Sequence, residues 1–143
     1  MSLFAQTVSN PHKLVIRRLF DEVWTNADFS GLDEILAPRV DYHVRTETLV
    51  QIPEDLVRIV TNWKDAFPDL QFEVEGIVVE RDQAAVRVVY RGTQAKEWKG
   101  IPAAERTVEV REMMFFRFDD ERIAEVWEVA DEHDLRRQLA GDS

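Results

Sequence analysis

The chain has 143 residues, 45% of them hydrophobic, which is enough apolar material for one buried core and too little length to expect two. Its 28 Asp and Glu against 18 scattered Lys and Arg leave a formal net charge of −10, which argues against a nucleic-acid partner. Cysteine is absent, which excludes disulfides, thiol nucleophiles and thiolate metal sites.

No apolar run approaches the roughly 20 residues of a membrane span. Segment 1–10 has neither the basic cap nor the apolar stretch of a signal peptide. The expectation is one cytoplasmic domain over 1–143, with its core at about 10–140 and no membrane partner.

In chain order, Asn10 before Pro11 predicts a helix start, because Asn caps free amides and Pro suits the first helical position. Ile16, Leu19, Phe20 and Val23 recur at helical spacing, so this helix runs to about Thr25. Ser30 is expected to cap a short second helix whose stripe, Leu32, Ile35 and Leu36, stops before Pro38. A strand over 40–45 follows. Pro53 opens a third helix in which Leu56, Val60, Trp63 and Phe67 form the core face.

After Pro68 the pattern changes to strands over 70–79, 84–94, 106–118 and 123–130. Short polar turns at 80–83 and 119–122 join neighbours into an antiparallel meander. The one long interruption, 93–104, contains Gly100-Ile101-Pro102. A short helix closes the chain, and Asp131 is placed to cap it. Helices first and a meander afterwards describe an α+β fold, with helices on one face of a curved, mixed or antiparallel sheet. The space between helices and sheet is an apolar pocket and the default ligand site.

The last two strands carry the candidate chemistry. Pairing Phe118 with Ile123 or Arg122 sets Met114 opposite Glu128 or nearly so, and makes Glu112 a diagonal neighbour of Glu128. A slip of one residue would instead bring Glu125, Trp127 and Asp131 to that face. A carboxylate on an apolar face is a candidate for proton transfer. Glu128 is therefore the candidate base, the alternative being a rim glutamate paired with Arg87 or Arg111. Glu112 is either a second catalytic carboxylate or an ordinary sheet carboxylate paired with Arg.

Further candidates line the expected pocket. Tyr42 and His43 lie on the first strand, where alternation lets only one face inward. Met114 and Phe116 share the face of Glu112. Gln94, beside Arg91 at a strand end, is a candidate for orienting a carbonyl, with surface pairing as the alternative for both. Trp63 and Trp24 fit the helical core, and Trp63 is also a candidate for ligand contact. Trp98, in the long loop, is a candidate lid. Trp127 should point away from Glu128, towards a dimer interface. The three His residues show no metal-ligand spacing, so no metal is expected.

The segments Phe67-Pro68-Asp69-Leu70, Arg91-Gly92-Thr93, Gly100-Ile101-Pro102 and Arg117-Phe118, together with Ile123, Trp127 and the ending from Asp131 to Leu139, resemble the SnoaL-like polyketide cyclase family. The resemblance covers about 10–139. It implies the cone-shaped α+β barrel also used by nuclear transport factor 2, ketosteroid isomerase and scytalone dehydratase. In the family's aromatic polyketide cyclases an Asp on the last strand is general acid/base in an intramolecular aldol closure, with a His on the preceding strand. Those positions fall on Glu128 and Met114. The carboxylate is kept on a side chain longer by one bond, about 1.5 Å, and the imidazole is absent.

Two function classes follow. One is cofactor-independent acid/base catalysis on a hydrophobic, polyketide-like carbonyl compound, of cyclase or ester-cyclase type, by proton abstraction α to the carbonyl. The other is a non-catalytic small-molecule-binding or dimerisation module on the same fold. In either case a hydrophobic ligand and a homodimer are the expected partners, and hydrolase or dehydratase chemistry ranks third.

Overall fold

The structure, a computed structural model, describes residues 10–141. The expectation about a signal peptide lies outside the described residues, save for Asn10. Helix α1 covers Pro11–Arg18 and continues in wider π-type turns over Leu19–Thr25. Asn10 caps it as the sequence predicts, its side chain accepting from the Lys13 amide at 3.1 Å. The wide turns matter for the site, because they carry the buried Phe20 and Trp24.

Helix α2 is a single turn, Leu32–Ile35, and its start differs from expectation: Gly31, not Ser30, is the cap residue. Asp28 is the reason. Its Oδ1 accepts both the Ser30 amide at 3.0 Å and the Ser30 hydroxyl at 2.7 Å, which closes a local turn and leaves no hydroxyl for the helix. Strand β1, Leu36–Val44, also begins earlier than predicted and runs through Pro38. Pro38 is tolerated because the ladder to the last strand is irregular between Leu36 and Asp41, where no amide is required of it. Strand β2, Glu47–Val50, folds back on β1 and lies in a segment with no predicted element.

Helix α3, Pro53–Ala66, packs Leu56 and Val60 into the core. Asp55 satisfies free amides just before its first turn, accepting from Gln51 and Ile52 at 3.0 and 3.2 Å. The meander then follows as β3 (Gln71–Glu80), β4 (Gln83–Thr93), β5 (Thr107–Asp119) and β6 (Arg122–Ala130). Helix α4, Glu132–Leu139, is capped by Asp131, which accepts from the Asp134 amide at 2.9 Å.

The six strands form one sheet in the order β2-β1-β6-β5-β4-β3, with β1 parallel to β6 and every other pair antiparallel. Register shifts interrupt the ladders at Tyr42/His43, Val74/Gly76 and Arg117/Phe118, and such bulges bend strands. Strand β5 alternates strictly: Val108, Val110, Glu112, Met114, Phe116 and Phe118 are buried, and the residues between them face outwards. This inner face, roofed by α1, its π-type continuation and α3, is the mixed α+β core that the sequence pattern predicts. No helix among the described residues is long and apolar enough to cross a membrane.

Candidate active site

Two cavities meet between the helices and the inner sheet face. The outer one, of ≈ 270 Å³, is walled by Val44, Leu49, Leu56, Ile59 and Trp98, with Arg45, Lys99 and Glu132 at its rim. The inner one, of ≈ 50 Å³, lies among Phe20, Phe72, Glu112 and Met114. Trp24, Tyr42, Trp63, Tyr90, Glu128 and Ala130 line both and form the neck between them.

Continued from the turn 119–122 alone, the ladder would set Met114 opposite Trp127 and turn Glu128 outwards; a one-residue shift between Phe118 and Arg117 brings Glu128 to the inner face instead. Phe118 pairs with Ile123, Met114 with Glu128 and Glu112 with Ala130, so Glu112 and Glu128 are diagonal neighbours on one face. The two carboxyls share a hydrogen bond. Glu112 is only 6% exposed and reaches the inner cavity alone, whereas Glu128 is half-buried and opens to both. Neither pairs with arginine: Arg87 and Arg111 lie near Glu75, at 3.9 and 3.8 Å, on the outer face.

Environment separates their roles. Burial, then the Glu128 charge and the hydrogen bond to it, push Glu112 well above the usual carboxylate range. Burial also raises Glu128, but hydrogen bonds donated by Tyr42 and Glu112 hold it down. The two titrate together, with Glu112 holding its proton the more strongly and Glu128 ionising first. Tyr42 reaches in from β1 and donates to Glu128 Oε1 at 2.5 Å. Burial, followed by the neighbouring carboxylates, pushes the Tyr42 phenol well up, so it remains a donor.

Three sequence candidates lie elsewhere. His43, next to Tyr42, projects to the outer face, where Nε2 meets Glu125 at 2.8 Å, Nδ1 meets Thr48 at 2.9 Å and the ring packs on Trp127. It cannot replace the absent imidazole, because strand alternation gives the inward position to Tyr42. Gln94 is fully buried outside both cavities and donates through Nε2 to the Ile101 carbonyl at 2.8 Å, tying down the loop. Phe116 shares the face of Glu112 but is sealed in the core against Phe20, two rungs below the cavities.

Met114 lines the inner cavity, and Trp63 lines both. Trp98 sits on Trp63 with ring centroids 4.2 Å apart. Its loop is a tight reversal, with Trp98 and Ile101 exchanging backbone hydrogen bonds of 3.0 and 2.9 Å around Lys99 and Gly100. Gly100 has φ +84, a value that suits glycine there. Among the described residues, no cluster of three or more His, Asp or Glu side chains is placed to hold a metal ion.

Two lining residues were not legible as such. Trp24 reads as helix packing, yet it reaches the neck, and its indole N–H is buried without a partner among the described residues. Tyr90 reads as one more apolar strand residue. The available signal was its two-residue offset from Val88, which pairs with Glu112 and so shares the inner face.

Residues 14–139 match the model of the SnoaL-like polyketide cyclase family. The chain belongs to that family. Solved structures agree: IdmH from Streptomyces antibioticus, a proposed polyketide cyclase, is 27% identical with a TM-score of 0.80, over 92% of this chain and 99% of its own. TsrD from Streptomyces laurentii is 26% identical with a TM-score of 0.79, over 90% of this chain and 94% of its own. AclR from Streptomyces galilaeus, a proposed hydroxylase, is 25% identical with a TM-score of 0.79, over 92% of this chain and 97% of its own. A search of curated proteins returned no match. In this SnoaL-like protein the inner sheet face thus carries one carboxyl and two phenols at the neck, with a second carboxyl in the inner cavity behind them.

Proposed function

We propose that the protein is a cofactor-independent acid/base catalyst acting on a hydrophobic carbonyl compound, of the cyclase or ester-cyclase type. The observation that carries this reading is the half-buried Glu128, hydrogen-bonded by Tyr42 and by Glu112 and open to an apolar cavity. Membership of the SnoaL-like family and the likeness to IdmH lend it support.

Glu128 removes a proton α to a substrate carbonyl, and the electron pair of that C–H bond moves to the carbonyl oxygen. The resulting carbanion attacks a second carbonyl of the same molecule, which closes a ring. The alkoxide then takes the proton back from the neutral Glu128 carboxyl, and Glu128 is again ionised. Glu112 holds the shared proton and keeps Glu128 from carrying one at the start. Trp98 closes the outer cavity over the ligand.

A homodimer would use the outer sheet face, where Met113 (60% exposed) opposes Val129 (71%) and Phe115 opposes Trp127. These pairs form a contiguous apolar strip flanked by Arg117 with Glu125 and by Arg111 near Glu75, so both charge signs lie beside it.

The test is NMR-monitored exchange of α-protons for deuterium in hydrophobic 1,3-dicarbonyl compounds, wild type against Glu128→Gln. Acceleration by wild type alone supports the reading. Equal rates favour the second reading, a non-catalytic binding module. One observation already points that way: Met114 stands directly opposite Glu128 and narrows the inner cavity to ≈ 50 Å³.

A further inference from the structure

Four side chains at the neck carry an N–H or O–H, those of Trp24, Tyr42, Trp63 and Tyr90, and the two phenols and the Trp24 indole are not equivalent. The Tyr42 hydroxyl is committed to Glu128. The Trp24 indole N–H is sealed from open space. Tyr90 is only 3% exposed, lines both cavities, and its hydroxyl has no hydrogen-bond partner among the described residues. Unlike the Trp24 nitrogen, that hydroxyl is not sealed.

The open phenol O–H of Tyr90 at the neck is free to donate to an acceptor on whatever occupies the cavity. Its ring is held firmly: Trp63 meets it edge-on at 5.6 Å and Phe72 packs on it at 5.3 Å. The O–H is therefore a fixed dipole at the neck, where Glu128 also stands. We propose that Tyr90 is the donor to the substrate carbonyl oxygen, and that it selects ligands carrying a ketone-type oxygen on an apolar frame.

During proton removal by Glu128 the carbonyl oxygen gains negative charge, and Tyr90 strengthens its hydrogen bond to that oxygen while keeping its own proton. Burial and the nearby carboxylates, Glu112 first among them, push the Tyr90 phenol far up, so proton loss does not compete. The catalytic part of this inference rests on the reading of Glu128 as base; the recognition part does not.

The experiment compares wild type with Tyr90→Phe, using 2-tetralone and tetralin, which share a frame and differ by one carbonyl. Phenylalanine keeps the ring contacts and removes no hydrogen bond within the protein, so the fold should persist. The expected result is an affinity for 2-tetralone about tenfold weaker in the variant, with tetralin unchanged. The bound C=O stretch should sit lower in frequency in wild type than in the variant. Exchange of the 2-tetralone α-protons should fall about a hundredfold.

Equal 2-tetralone affinity and equal C=O frequency in the two proteins overturn the proposal, as does failure of wild type to bind either probe. A Tyr90-dependent C=O shift without any exchange by wild type upholds ketone recognition by Tyr90. That outcome places the failure with the catalytic reading of Glu128.

Discussion

Tyr42 on β1 and Glu128 on β6 are joined by a 2.5 Å hydrogen bond across the one parallel pairing in the sheet, in which Val44 is the backbone partner of Glu128. The bond spans 86 residues of sequence and engages the Oε1 oxygen of Glu128. Its energetic effect has a definite sign, since donation to a carboxylate favours the ionised form.

Tyr42→Phe should therefore raise the Glu128 pKa. A base works only when ionised, so the acid limb of the exchange rate against pH should move to higher pH in the variant. The measurement is kcat/KM for α-proton exchange across the acid limb. An unmoved limb would remove Tyr42 from this tuning role.

Glu112 should make the protein less stable as pH rises. Its folded pKa lies well above the ordinary value of 4.5, so the folded state holds a proton that the unfolded chain releases above that value. Stability is then lost as pH climbs from 4.5 through the raised folded value. Melting curves between about pH 5 and about pH 8 should show a falling Tm in wild type. In Glu112→Gln the slope should flatten, and the variant should gain on wild type towards the upper end of that range. On the acid side the sign reverses. Asp55, held low by the Gln51 and Ile52 amides, and Asp134, held low by Arg137 and Gln138, lose their contributions as pH falls through their folded values.

Trp98→Ala should open the outer cavity. The ring contacts Trp63 and Phe67, and losing them should weaken binding of apolar ligands by about tenfold, in line with the ~0.5–1.5 kcal/mol of an aromatic pair. KM should rise more than kcat falls, because Trp98 does not touch the carboxylates. Equal loss in both would assign it a different role.

Met113→Glu should convert a dimer to a monomer in sedimentation velocity without lowering the stability of the monomer, since Met113 is exposed on the outer face. Wild type sedimenting as a monomer would remove the outer face as an interface between copies.

Phe116→Ala and His43→Asn should separate fold from function. Phe116 is fully buried, so its truncation should cost about 3–5 kcal/mol of stability. His43→Asn breaks only outer-face contacts with Glu125, Thr48 and Trp127, so exchange should be unchanged.

The sequence by itself determined the helices, the strands other than β2 and the meander, and it brought Glu128 to within one rung of Met114. Each of these is local: helical spacing, strand alternation and a short turn are properties of neighbouring residues, whereas the final rung was decided by the bulge beside Phe118, which turns Glu128 inwards. Alternation also limited Tyr42 and His43 to one inward place without saying which took it. What only the tertiary structure decided was where distant segments meet. β1 joins β6 in parallel, which brings Tyr42 to Glu128. The π-type turns and α3 carry Trp24 and Trp63 over the face that holds Tyr90. Whether Glu112 faces an arginine or another carboxylate was likewise undecided by its own neighbours. Strand pattern specifies a face, but the groups that cover that face come from elsewhere in the chain, and their burial decides which carboxyl keeps the proton.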